Sequence, residues 1–89
     1  MTLHEILTDI HTLEEDLLAF ERKYGVRSET FFAAYTSGEE PEEDSWVLDF
    51  GEWASVYRTW LVRQADYRNE VQRRQLNAHS LTGLVQVAS

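Results

Sequence analysis

The sequence predicts an all-α fold: an antiparallel helical hairpin of two long heptad-patterned helices with a short intervening helix, completed by oligomerisation. Two stripes of apolar residues and the short stretch between them predict it. Apolar side chains fall at Leu3, Ile6, Ile10, Leu13, Leu17, Phe20 and Tyr24 in alternating steps of three and four, the spacing of an a/d seam. The same alternation returns at Trp46, Phe50, Trp53, Tyr57, Trp60, Gln64, Tyr67 and Val71. A short connection makes sequential helices neighbours, so the two seams are expected to face each other. The helical domain is expected over residues 1–76, with 77–89 as a C-terminal tail of different character, "NAHSLTGLVQVAS".

The first helix has its stop and start signals in place. Thr2 and Glu5 have the spacing of a capping box, and Gly25 after Tyr24 suits the left-handed residue that closes a helix. About 22 residues, roughly 33 Å at 1.5 Å per residue, are predicted. "VRSETFFAAYTSG" then reads as a short helix with Ser28 as its N-cap, Glu29 at the positive end of its dipole and Gly38 beyond its end. So short a helix holds only if Phe31, Phe32 and Tyr35 pack on something.

Residues 39–44, "EEPEED", hold the only proline and no apolar side chain, which marks a solvated turn before the third helix. Asp44 or Ser45 is the expected cap. The third helix, about 30 residues from Trp46, has its weak point at Gly51, which costs about 1 kcal/mol relative to alanine or lets another backbone come close; the sequence leaves open whether the helix is continuous there. It is expected to overhang the first helix by about 10 to 15 Å on the 1.5 Å rise, leaving Tyr67, Val71 and Leu76 short of cover. Glu70 precedes Arg74 by four residues, the favourable order for a helical ion pair.

Composition narrows the function. At 89 residues a lone chain buries only about 60 to 65% of its unfolded surface, so help from a partner or a second copy is expected. There is no cysteine, hence no disulfide and no thiolate metal site. No apolar run approaches the roughly 18 to 20 residues that span a bilayer, and "MTLHEILTDIHTLEEDL" is acidic where a secretory signal is basic. A soluble, cytoplasmic protein is expected, away from membranes.

Charge is unevenly placed. Residues 1–54 carry fourteen acids against three bases, a net charge of −11, whereas residues 55–89 carry five arginines against two acids, a net charge of +3. The acidic field repels phosphate backbones and speeds encounter with a basic protein, so direct nucleic-acid binding is disfavoured. A DNA-binding regulator acting through Arg68, Arg73 and Arg74 lacks any helix-turn-helix signal.

Nothing points to catalysis or to a cofactor. His4 and His11 share a helix face but sit two turns, about 10.5 Å, apart, too far for one metal ion. His11 and Glu15 at i and i+4 supply two ligands without a third. Ser28, Ser45 and Ser55 read as caps or surface residues with no histidine in a recognisable motif. "EEPEEDSWVLDFGE" fails as a calcium loop, because valine, leucine and phenylalanine fall where oxygen ligands are needed. A non-enzymatic protein without metal or cofactor is expected.

The stretch "EEPEEDSWVLDFGEW" sets seven carboxylates, and no base, against two tryptophans, a phenylalanine, a valine and a leucine. Trp46, Trp53 and Trp60 recur at sevens, and for Trp53 and Trp60 that spacing reads first as core packing. Trp46 sits at the helix mouth among carboxylates, beyond the expected end of the contact with the first helix. Aromatic anchors ringed by charge suit steering followed by docking. The candidate partner-binding residues are therefore Glu42, Glu43, Asp44, Trp46, Asp49, Phe50 and Trp53.

"FERKYGVRSETFFAAYTSGEE" followed by "DFGEWASVYRTW" resembles the short acidic antitoxin-like proteins of prokaryotic toxin–antitoxin pairs, over about residues 17 to 62. The residues that match are Phe20, Glu21, Lys23, Tyr24, Gly25, Ser28, Phe31 or Phe32, Gly38, Glu39, Glu52, Trp53 and Tyr57. The segment "EPEEDSWVLD" and the tail "NAHSLTGLVQVAS" have no place in that pattern. The resemblance implies a neutralising subunit that binds a small basic toxin of the ribonuclease type. The carboxylates of residues 39–49 would then occupy phosphate sites of the toxin while Trp46 and Phe50 dock in an apolar recess. The other reading is a structural homo-oligomer whose acidic face serves solubility.

Overall fold

The computed structural model describes residues 1–78 and is helical: α1 spans Leu3–Tyr24, α2 Ser28–Thr36 and α3 Trp46–Ala78. The expected tail of residues 77–89 lies almost wholly outside the described residues. Among the described helices none is long and apolar enough to cross a membrane.

At the start of α1 the Thr2 hydroxyl accepts the Glu5 amide at 3.2 Å, and at its end Gly25 takes φ +74° while its N–H bonds the Glu21 carbonyl at 2.8 Å. Those two residues set the ends because one side-chain acceptor and one left-handed residue satisfy backbone groups the helix cannot.

α2 is capped differently from what its sequence suggests. Arg27 occupies the N-cap position and makes no side-chain cap bond, and Ser28 is the first helical residue. The missing acceptor comes from α1: the Glu21 carboxylate accepts both the Ser28 amide at 3.0 Å and the Ser28 hydroxyl at 2.7 Å. A carboxylate at this end also meets the positive pole of the helix. Beyond Thr36 the chain turns at Gly38, φ +102°, a conformation that favours glycine.

α3 is continuous through Gly51. It starts on backbone bonds, the Trp46 N–H to the Glu43 carbonyl and the Val47 N–H to the Asp44 carbonyl, from a turn over residues 42–45. Glu70 holds both Arg73, at 2.5 Å, and Arg74, at 3.2 Å.

The partners of α1 climb α3 as α1 is followed backwards. Tyr24 meets Trp46 and Asp49, Phe20 meets Trp53, Glu14 meets Trp60, and Asp9 meets Arg63. Further along, Met1 and Ile6 share a recess with Asp66, Asn69 and Glu70. Of the three residues expected to lack cover, Tyr67 and Val71 are half-buried, because the first turns of α1 reach this far and bury Leu3 and Ile6 in doing so; the Leu76 side chain lies outside the described residues. Trp46 is likewise not beyond α1: the last ring of that helix, Tyr24, lies edge-on to it with centroids 6.0 Å apart.

The core sits where α2 crosses the other two helices. Leu17, Phe31, Trp53 and Ala54 are buried together, with Phe20, Tyr24, Phe50 and Tyr57 packed around them. Trp53 has no exposed surface. Its ring stacks on Phe31 at 3.9 Å, on Phe20 at 5.5 Å and on Tyr24 at 5.8 Å. The indole N–H donates to the Ser28 hydroxyl at 2.9 Å, which in turn donates to Glu21, so the one buried polar side chain in this core is satisfied on both sides.

Candidate functional site

The acidic segment is held at both ends. The Glu39 N–H bonds the Ala34 carbonyl at 3.2 Å, and α3 begins at Trp46. Between these anchors Glu39, Glu40, Glu42, Glu43 and Asp44 are exposed. Every ion pair of the described residues lies elsewhere. Five uncompensated carboxylates on so short a stretch make this corner a source of negative potential.

The seven candidate residues divide into three groups. Glu42, Glu43 and Asp44 are exposed and outside every ion pair of the described residues, with Glu43 accepting the Ser45 hydroxyl at 3.5 Å. Trp46 and Phe50 are half-buried, stacked on each other at 5.9 Å and each edge-on to Tyr24. Phe50 also lines an apolar recess of about 310 Å³ with Val26, Phe31, Ala34 and Tyr35, rimmed by Glu39 and Glu40. Asp49 and Trp53 belong to the fold. Asp49 accepts the Lys23 ammonium at 2.6 Å and the Tyr24 hydroxyl at 2.5 Å, so its charge is already matched. Trp53 is wholly buried and offers a partner no surface.

The electrostatics of these groups follow from their partners. Hydrogen bonds from Lys23 and then Tyr24 outweigh desolvation and hold Asp49 below the usual carboxylate range. The bond to Asp49 raises both Lys23 and Tyr24. Glu21 feels desolvation most, which alone raises a carboxyl, yet the bonds from Ser28 and the nearby Arg27 together bring it below its ordinary value. Each shift has its cause in an ion pair or hydrogen bond that ties one helix to the next.

Two residues absent from the expected site stand out. Leu48 is 85% exposed and Val47 52%. Their exposure was readable in principle: with Trp46, Phe50 and Trp53 on the seam, a rotation of about 100° per residue carries Val47 and Leu48 away from it. A second recess, also of about 310 Å³, opens on the other side of α2 between Glu14, Leu18, Glu21, Arg27, Tyr57 and Trp60. Among the described residues no three His, Asp or Glu side chains gather as a metal site would require.

Comparison with known proteins found no matching family model, no matching curated sequence and no matching solved structure. Seven of the residues behind the antitoxin-like resemblance have a folding role here. Phe20, Glu21, Tyr24, Ser28, Phe31 and Trp53 meet in one cluster, and Gly25 closes α1. Their spacing therefore speaks first of how the chain folds.

Proposed function

We propose that this chain is a non-enzymatic protein-binding module, an antitoxin-like inhibitor that docks on a basic protein such as a small ribonuclease-type toxin. Its frame in this reading is an antiparallel hairpin of α1 and α3 pinned by α2, and its place of action is the cytoplasm. The opposite order of partners along α1 and α3 supports the hairpin.

One observation carries the docking reading: five unpaired carboxylates, Glu39 to Asp44, run directly into a helix turn whose Leu48 is 85% exposed. Long-range attraction brings a basic surface to this corner, and apolar contact then holds it. Compared with the sequence-based expectation, the apolar part moves outward, from Trp53 to Val47 and Leu48, with Trp46 and Phe50 at the edge.

The test is co-purification with the protein encoded by the adjacent gene, followed by association kinetics with Glu42→Gln, Glu43→Gln and Asp44→Asn combined. Slower association with a flatter salt dependence is expected. Unchanged kinetics overturn the reading.

A structural homo-oligomer is the second reading, favoured by Leu61 and Val62, which are exposed on α3 well away from the acidic segment. Sedimentation at several concentrations separates the two. A stable closed oligomer that binds no basic protein would favour the second.

A further inference from the structure

Gly51 is a glycine for which the described residues show no need. It lies inside α3, its φ is an ordinary negative one, and a Cβ placed on it would meet nothing within 4 Å. Glycine is the poorest helix former after proline, so its presence mid-helix weakens α3 with no return among the described residues. A bare stretch of backbone is useful where something else must come close.

The surroundings say what that is. Leu48, Gly51, Ser55 and Val62 follow one another at steps of three, four and seven, so they form a strip along the face of α3 turned away from its seam. Leu48 and Val62, 85% and 54% exposed, stand at the two ends, with the small Gly51 and Ser55 following Leu48 and the exposed Arg58 and Thr59 between Ser55 and Val62. The strip is about 21 Å long at 1.5 Å per residue, the length of a helix of about 14 residues. Small residues between larger ones make a groove that lets a second helix approach closely.

Charge decides between occupants. Asp44 and Glu52 are exposed beside the strip and carry no ion pair among the described residues, and Glu42 and Glu43 lead into it. Arg58, the sole base between residues 44 and 62, lies over the Phe32 ring at 5.3 Å, toward α2. A second copy brings another net charge of −8 and is repelled at long range, whereas a lysine- or arginine-bearing helix is attracted.

We propose that the Leu48–Gly51–Ser55 strip is the seat of a basic amphipathic helix of the partner, whose apolar side packs on Gly51 while its cations meet Asp44 and Glu52. This rests on the docking reading above and adds to it the partner's chemistry and the point of closest approach.

The probe is a capped 18-residue helical peptide of leucine, alanine and lysine, with the leucines on one face, titrated into isotope-labelled full-length protein at low salt. Amide shifts over residues 44–55 are expected, with Gly51→Leu or Ser55→Leu weakening binding at least tenfold. In the free protein Gly51→Ala should raise the melting temperature by about 4 to 8 °C, because the helix gains and nothing clashes. The inference is overturned by absence of binding, by shifts confined to the Val26–Tyr35 recess, by unchanged affinity in both leucine variants, or by a lower melting temperature for Gly51→Ala. Self-association of the free protein that Gly51→Leu abolishes also overturns it, since the occupant is then a second copy. If the Glu42, Glu43 and Asp44 replacements abolish peptide binding while Gly51→Leu leaves it intact, the acidic docking reading stands and only the helix seat fails.

Discussion

Ser28 joins three parts of the chain: it donates to Glu21 of α1 twice and accepts the Trp53 indole of α3. Ser28→Ala keeps the backbone bond but leaves the Trp53 N–H without an acceptor at zero exposure. A loss of about 1 to 3 kcal/mol is expected, measured by urea unfolding. Trp53→Ala removes the ring on which Phe20, Tyr24 and Phe31 stack, at about 3 to 5 kcal/mol. A domain of this size holds only about 5 to 15 kcal/mol in all, so that variant should be largely destabilised or unfolded. The pH dependence has a definite sign. Glu21 and Asp49 both have native values below their unfolded ones, 4.5 and 3.8, so the native state binds fewer protons. Their stabilisation is complete above those unfolded values and is lost as pH falls through the lower native ones. Lys23 and Tyr24 are raised, so their share is complete below their ordinary values and fades as pH rises through the native ones. Acid titration of unfolding should show a shallower loss in Ser28→Ala and in Lys23→Met than in the parent. The Lys23 pair itself is 63% exposed on the lysine side, and such surface pairs contribute little to net stability.

Among the helices, two glycines in similar positions of the sequence pattern have opposite roles. Gly25 takes φ +74° and closes α1, a conformation that costs an L-residue about 1 kcal/mol. Gly51 has no such demand, and a Cβ added to it would meet nothing within 4 Å among the described residues. The same substitution should therefore change sign: Gly25→Ala lowers stability by about 1 kcal/mol and Gly51→Ala raises it by a similar amount, read from thermal or urea melts of the two variants side by side. Thr2→Ala should cost about 1 kcal/mol through the lost cap on Glu5. α2 depends on others at every point. It has nine residues, borrows its N-terminal acceptor from Glu21 and buries Phe31 against Trp53. A helix of that length does not persist in isolation, so it folds only with α1 and α3.

The described residues form a long, thin body, 51 × 27 × 19 Å with a radius of gyration of 16.5 Å, where a compact chain of about this length would have about 12 Å. So extended a shape separates the acidic corner near α2 from the arginines of late α3; the first acids of α1 lie beside those arginines, as Asp9 does on Arg63, so the unbalanced negative charge is concentrated at the α2 end. Encounter with a basic partner should then slow steeply as salt rises past about 0.15 M, where the Debye length is about 8 Å. The three tryptophans give an independent check of the packing. Trp53 is sealed, while Trp46 and Trp60 are half-buried. Acrylamide quenching should be biphasic, and the quenchable fraction should fall in a variant with Trp46→Phe and Trp60→Phe.

The periodicity of Leu3 to Tyr24 and of Trp46 to Val71, with Thr2 and Gly25 as stops, sufficed by itself to mark the helices, because seam spacing and capping are decided by residues within a turn or two of one another. The acidity of residues 39–44 was equally plain, since charge needs no fold to be read. Tertiary structure alone decided which of those residues are free. Ser28 looked like a cap and became a donor to Glu21; Asp49 looked like part of the acidic surface and became the partner of Lys23 and Tyr24; Trp53 proved the most buried ring in the core. Each outcome depends on side chains distant in the sequence, as far apart as Phe20 and Trp53, brought together only when α2 settles across the two long helices, and no local rule encodes where it settles.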